Sequence, residues 1–165
     1  MNRPFVTIVY QVRDNSVWFS RSVDSFVATT TNKENVEVLL KIDSDEDYVP
    51  YIKTLRESGF NYKILIYDRM CGFGNIQKFQ TDLCKISVGD FIFICSDDLI
   101  MHTIDWIPKL KLAYSIFNDH ILVCAFSKLK INKYGTTKYK LTNKIPVVSR
   151  QWFECCGYIS PARQT

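Results

Sequence analysis

The chain has 165 residues, 47% hydrophobic and 23% charged, with a formal net charge of +4. That is length enough for one domain with its own core, and the balance is ordinary for a globular protein. No apolar run approaches the ~20 residues of a membrane-spanning helix, and the start, Met1-Asn2-Arg3-Pro4, lacks a signal-peptide pattern, so the expected location is cytoplasmic.

The elements alternate. Residues 5–10 (FVTIVY) read as a first strand, and Asp14, Asn15 or Ser16 can cap a helix over 16–28 marked by Phe19, Val23, Phe26 and Val27. Residues 36–42 (VEVLLKI) read as a second strand running into the acidic stretch 43–47. Ser44 or Asp45 can cap the next helix, whose buried face is marked by Tyr48, Ile52 and Leu55 and which Gly59 stops. Residues 62–67 (YKILIY) give a third strand, 68–74 a loop with Gly72 and Gly74, and Ile76, Phe79, Leu83 and Ile86 a third helix. A strand at 91–95 comes next. Thr103 or Asp105 can cap a fourth helix with Pro108 in its first turn, and 121–126 (ILVCAF) is a fifth strand. Residues 128–144 read as a Lys-rich loop or hairpin, 146–149 as a further short strand, and 160–165 as a tail. The β-α-β order predicts an α/β fold with a mainly parallel sheet.

The chain is organised around residues 89–99 (GDFIFICSDDL). Five apolar residues suit a strand buried on both faces. Asp97 and Asp98 do not belong inside it, because burying an unpaired charge is expensive. They belong at its carboxyl end, where open α/β sheets bind ligands. Two carboxylates there can share Mg²⁺ or Mn²⁺ with substrate phosphates. A carboxylate such as Asp43 can bond a base or ribose, and Arg13, Arg69 or a late lysine can add positive charge. His102, four residues past Asp98, is a lone histidine in a loop, a pattern that does not mark a ligand. Trp106, Trp152 and Phe153 read as core, with Trp152 the exception that can face a sugar.

Other chemistries lack their signatures. There is no GxGxxG after the first strand, no P-loop and no GxSxG elbow. The six cysteines form no CxxC pair, which argues against structural zinc and for buried free thiols in a reducing compartment. The lysines at 128, 130, 133, 138, 140 and 144 can attract phosphates or an acidic partner. The acidic stretch and mild net charge argue against a nucleic-acid footprint.

Across residues 4–160 the sequence resembles the nucleotide-sugar-binding half of GT-A-fold glycosyltransferases, the large inverting family 2-like group. FVTIVYQVRDN is similar to the family's first strand and loop, which approach the nucleotide and here contain Tyr10, Gln11 and Arg13. VEVLLKIDSDED resembles the strand ending in an Asp that contacts the base, implying Asp43 and next Asp45. GNIQKFQTDLCKISVGDFIFICSDDLIMHTIDWIPKL resembles the block holding the DxD-type metal motif. The resemblance implies Asp98 and Asp97 as metal ligands, with Ser96 and Asp97 beside the nucleotide. VVSRQWFECCGYISP is similar to a segment ending in a Gly-aromatic turn at the acceptor, implying Trp152, Gly157 and Tyr158.

The resemblance also implies a single GT-A domain over 1–165. Its expected activity is metal-assisted, inverting hexosyl transfer from a nucleotide-diphosphate sugar, a UDP-sugar favoured, to a glycan, lipid or protein. Two departures stand beside it. Ser96 occupies the motif's opening position, where Asp is usual. The catalytic base is unassigned, Glu154 being the one late carboxylate. An inactive binding or interaction module of the same fold is the alternative.

Overall fold

A computed structural model describes residues 3–69, 73–131 and 137–157. The strands are β1 (Val6–Gln11), β2 (Val36–Asp43), β3 (Asn61–Tyr67), β4 (Phe91–Cys95), β5 (Val123–Ile131) and β6 (Thr137–Ser149). The helices are α1 (Ser16–Thr29), α2 (Val49–Ser58), α3 (Phe73–Ile86), α4 (Trp106–Ile116) and α5 (Arg150–Cys156). One sheet joins the strands in the order β3-β2-β1-β4-β6-β5. The first four are parallel, β6 runs antiparallel to β4, and β5 runs antiparallel to β6.

The apolar runs of β1, β2 and β4 are buried on both faces, and their two-residue period divides them between two cores. On one face Ile8, Tyr10, Leu40 and Phe93 pack with Phe19, Phe26, Tyr51, Leu55 and Trp106, so α1, α2 and α4 cover it. On the other, Val9, Leu39, Ile92 and Val148 pack with Leu83, Cys84 and Phe153 of α3 and α5. This arrangement suits right-handed crossovers. The chain walks outward from β1 to β3 over one face and returns to β4 over the other. The strand order reverses between β1 and β4.

Gly89 allows β4 to start where it does. A Cβ there would lie 2.5 Å from the Thr7 nitrogen. The Gly89 N–H instead donates to Thr7 Oγ1 at 2.9 Å. Gly59 ends α2 in the left-handed region at φ 75°, as its sequence position predicts.

The structure corrects several local expectations. Residues 128–131 and 137–144 lie in paired strands, the hairpin rather than the loop of the two expected alternatives, and the short strand at 146–149 is the end of β6. Lysines alternate there with Leu129, Ile131, Tyr139 and Leu141, a period-2 pattern that the high lysine content conceals. The turn expected near Gly135 lies outside the described residues, as do Cys71, Gly72 and the tail. Helix α3 begins at Phe73, so Gly74 is helical. Helix α2 begins at Val49 with Pro50 in its first turn, so the acidic stretch precedes it and does not charge its first turn. Tyr48 and Ile86 are exposed, whereas Tyr51, Leu55, Phe79 and Leu83 carry the burial. Cys84 and Cys95 are buried free thiols as expected, but Cys155 and Cys156 are exposed. Among the described residues no helix is long and apolar enough to cross a membrane.

Candidate functional site

Strand register aligns the carboxyl ends of the parallel strands. Tyr10 lies opposite Cys95, Gln11 opposite Lys41, and Asp43 opposite Tyr67. The segments leaving β1, β2, β3 and β4 therefore emerge along one edge. The gap between β1 and β4 is the switch point, the place where such sheets bind ligands.

Asp97 and Asp98 follow β4 in a turn closed by Leu99 N–H donating to the Ser96 carbonyl at 3.1 Å. Asn15 Nδ2 donates to Asp97 Oδ2 at 2.7 Å, across the switch point. Asn15 holds the N-cap position of α1, but its side chain does not cap the helix. The Ser96 hydroxyl hydrogen-bonds Asp98 and lies 3.4 Å from Asp97.

A second layer of polar contacts holds the loop after β1. The Asp14 N–H donates to Glu46 Oε2 at 3.1 Å, and Tyr51 Oη donates to the same oxygen at 3.2 Å. The Asn15 N–H donates to Tyr51 Oη at 3.0 Å. Asp14 sits in the left-handed region at φ 49°, which Asp tolerates better than most residues. Burial pushes the Tyr51 hydroxyl up to about 12. Glu46 Oε1 and Gln11 Oε1 are buried and have no hydrogen-bond partner among the described residues. Glu46 is only 8% exposed, so its charge acts inside the fold.

The end of β2 carries charges at three depths. Lys41 and Asp43 form an ion pair with both side chains 3% exposed, and the Lys41 ammonium lies 4.7 Å from the centre of the Phe79 ring. Arg13 Nε approaches Asp43 at 4.0 Å from a half-exposed position. Outermost, Arg69 pairs with Asp45 at 2.8 Å and Asp14 at 3.5 Å. The accessible carboxylates beside Arg69 are thus Asp45 and Asp14. Asp43 is already neutralised from below.

The predicted residues divide accordingly. Gln11, Arg13, Asp43, Asp45, Arg69, Ser96, Asp97 and Asp98 lie along the one edge. The Tyr10 side chain does not reach it, being fully buried with its hydroxyl 2.7 Å from Ser22 Oγ. Burial raises that hydroxyl's pKa well above its usual value.

The residues expected on the acceptor side belong to the segment that follows β6. Ser149 pairs with Phe91, so α5 starts at the amino-terminal edge of β4. There Arg150 donates to the Ser87 carbonyl at 2.7 Å and the Gly89 carbonyl at 3.0 Å. Glu154 acts electrostatically on Arg150 and Tyr114, and the structure does not bring it together with Asp97 and Asp98. Trp152 is half-buried against the second core. Gly157 closes α5 at φ 72°, its N–H donating to the Phe153 carbonyl at 2.7 Å. Tyr158 lies outside the described residues. His102 is exposed.

The sequence offers Asn15 only as one of three cap candidates and does not single out Lys41, Glu46 or Tyr51. A lysine two residues before Asp43 in an apolar strand was the available signal, because residues i and i+2 share a face.

Among the described residues no three His, Cys, Asp or Glu side chains gather as a metal cage. The donor set at Asp97 and Asp98 nevertheless fits a hard cation held by one or two carboxylates, with phosphates and water completing its shell.

A mostly parallel six-stranded sheet, flanked by helices and carrying acidic residues at its switch point, defines the class: the chain has a GT-A glycosyltransferase fold. Solved structures of that class match it. The mannosyltransferase PcManGT from Pyrobaculum calidifontis, in complex with GDP-Man and Mn²⁺, is 11% identical with a TM-score of 0.68, over 97% of this chain and 48% of that one. S. aureus TarS 1–349 is 16% identical with a TM-score of 0.56, over 72% of this chain and 34% of that one. The same protein with UDP-GlcNAc gives 18% identity and a TM-score of 0.55, over 72% of this chain and 32% of that one. At these identities the likeness is one of fold, and the chain spans less than half the length of each. No protein-family profile matches the sequence, and no curated protein does.

Proposed function

We propose that the chain is the donor-binding part of a glycosyltransferase that moves a sugar, with inversion, from a nucleotide-diphosphate donor. The observation that carries this reading is the pair Asp97 and Asp98 at the switch point, with Asp97 clamped by Asn15. The similarity to folds solved with GDP-Man and with UDP-GlcNAc supports it. Asp98 and Asp97 would hold Mg²⁺ or Mn²⁺, which when bound neutralises the departing diphosphate. Arg13 and Arg69 supply positive charge toward the nucleotide. Asp45, half-exposed in its pair with Arg69, is the carboxylate that a base or ribose hydroxyl can reach, while Asp43 anchors Arg13 from below. Ser96 orients Asp98 through its hydroxyl. The catalytic base stays unassigned, since the helix carrying Glu154 starts at the amino-terminal edge of β4 and Glu154 acts there on Arg150.

Calorimetric titration with UDP and GDP, each with Mn²⁺ or with EDTA, tests this. The expected result is metal-dependent binding, with UDP the tighter ligand, lost in a folded Asp98→Ala variant. Unchanged binding in that variant would sink the site assignment. A folded parent that binds neither nucleotide would favour the interaction-module reading, which Ser96 at the head of the motif supports.

A further inference from the structure

Strand β3 is an edge of the sheet, paired with β2 on its inner side only. The Tyr67 carbonyl accepts from the Ser44 N–H at 2.8 Å, just past the end of β2. Backbone groups alternate sides along a parallel strand, so Asn61, Lys63, Leu65 and Tyr67 bond toward β2. The N–H and C=O groups of Tyr62, Ile64 and Ile66 point outward, and no described residue bonds them. Open edges of this kind are usually guarded by a free charge. The one charge on β3, Lys63, is instead tied to Glu37 at 3.0 Å, on the face of the second core. On the other face Tyr62 and Ile64 pack against the first core, while Ile66 is 57% exposed.

We propose that β3 pairs, antiparallel, with the β3 of a second copy of this chain, about a two-fold axis at Ile64. The outward groups are self-complementary in that register. Ile64 exchanges both hydrogen bonds with its own counterpart, and Tyr62 exchanges both with Ile66 of the other copy. The opposed side chains suit one another as well. Aromatic Tyr62 meets β-branched Ile66, Lys63 meets Leu65, and no like charges stand in direct opposition. The contact is isologous and closes at two copies.

The helices agree with the same axis. A crossover helix sits above the gap between the two strands it joins, and strands lie ~4.8 Å apart. Helix α2, joining β2 to β3, therefore meets the α2 of the second copy two strand spacings away, at ~10 Å, a distance at which helices pack. Tyr51 and Leu55 point α2 into the core. Right-handed winding then puts its Ile52–Arg56 flank on the β3 side. Because the two helices run antiparallel, Arg56 of one copy lies toward the exposed Asp47 that precedes α2 in the other. The carboxyl edges of the two sheets point to opposite ends of the joined sheet, so this inference is independent of the donor reading.

Sedimentation over a concentration series, with amide hydrogen exchange, tests this. The parent should pass from monomer to dimer, and the amides of Tyr62, Ile64 and Ile66 should exchange more slowly as it does. Ile66→Pro deletes an outward N–H and leaves the bonds to β2 intact, a position where an edge strand accepts proline. It should weaken the dimer at least about tenfold, since each copy loses one bond across the seam. Its circular dichroism should match the parent's. Position 64 opposes itself only in this register, which a second pair of variants reads. Ile64→Lys and Ile64→Glu should each be monomeric alone and should pair when mixed. A control on the exposed apolar face of α4, Leu112→Lys/Ile116→Lys, should dimerise as the parent does. A parent that stays monomeric at every concentration would overturn the proposal, as would a dimer indifferent to Ile66→Pro, a mixture of the two Ile64 variants that fails to pair, or a dimer lost in the α4 control.

Discussion

Asn15 Nδ2 and Asp97 Oδ2 meet at 2.7 Å, joining the loop after β1 to the loop after β4 across the point where the strand order reverses. The amide holds one oxygen of the Asp97 carboxylate, and the other lies 3.4 Å from the Ser96 hydroxyl. Groups that orient a metal's ligands tune its affinity although they do not touch it.

Replacing Asn15 by Ala should therefore weaken Mn²⁺-dependent UDP binding by ~10- to 100-fold. The melting temperature should barely change, since the bond is only partly buried. Asn15→Asp should weaken binding further at neutral pH by setting a second carboxylate against Asp97. Titration calorimetry beside a thermal melt separates the two effects. A melt that falls in step with affinity would assign Asn15 to folding alone.

Glu46 should show the opposite balance. Its carboxylate accepts from the Asp14 N–H and the Tyr51 hydroxyl inside the fold. Removing it in Glu46→Ala strands the buried Tyr51 hydroxyl and the partly buried Asp14 N–H and should destabilise the chain by ~1–3 kcal/mol in urea unfolding. Glu46→Gln keeps an acceptor oxygen and should recover part of that loss. Equal losses in the two variants would mean that the hydrogen bonds are not what Glu46 contributes.

The Lys41–Asp43 pair gives a third expectation. Both side chains are 3% exposed, so removing one leaves the other charged and buried. Lys41→Met should cost ~3–5 kcal/mol. The double variant Lys41→Met/Asp43→Leu should regain most of that, because two apolar side chains of similar size need no partner. Denaturant midpoints of the two singles and the double decide it. A double variant no more stable than Lys41→Met would contradict the pairing.

Alkaline pH should unfold the chain through its buried thiols. Burial pushes Cys84 and Cys95 up from 9.0 to about 12. Below pH 9 both thiols stay protonated whether folded or unfolded, and their contribution is flat. Between pH 9 and about 12 the unfolded chain releases protons that the folded chain keeps. Stability must fall as pH rises, by ~1.4 kcal/mol per pH unit per thiol. Urea midpoints at stepped pH should show this decline, and Cys95→Ala should make it shallower. In thiol labelling at neutral pH, the exposed Cys155 and Cys156 should react well before Cys84 and Cys95.

Much of this architecture was legible because it is local. Apolar runs located β1 to β4 to within a residue or so, and β4 without error, because a strand buried on both faces has no polar positions to confuse its reading. The same runs fixed where Asp97 and Asp98 stand, since charge is excluded from such a strand. The hairpin was harder. Its lysine content left loop and hairpin both open, and only the paired strand decided for the hairpin.

The site divided along the same line. The sequence by itself determined the alternation of strands and helices, the carboxylates at the ends of β2 and β4, and the absence of competing phosphate-binding loops. Each is a property of neighbouring residues. Only the tertiary structure decided that Asn15 bonds Asp97 rather than capping its own helix, that Asp43 pairs with Lys41 and Asp45 with Arg69, and that the helix carrying Glu154 starts at the amino-terminal edge of β4. These outcomes depend on strand order and direction. An antiparallel β6 delivers α5 to the amino-terminal edge of β4, and a parallel β1 and β4 bring residues 82 positions apart within hydrogen-bond reach. Hydrophobic patterning specifies which face of a strand is buried. It does not specify which strand lies beside it.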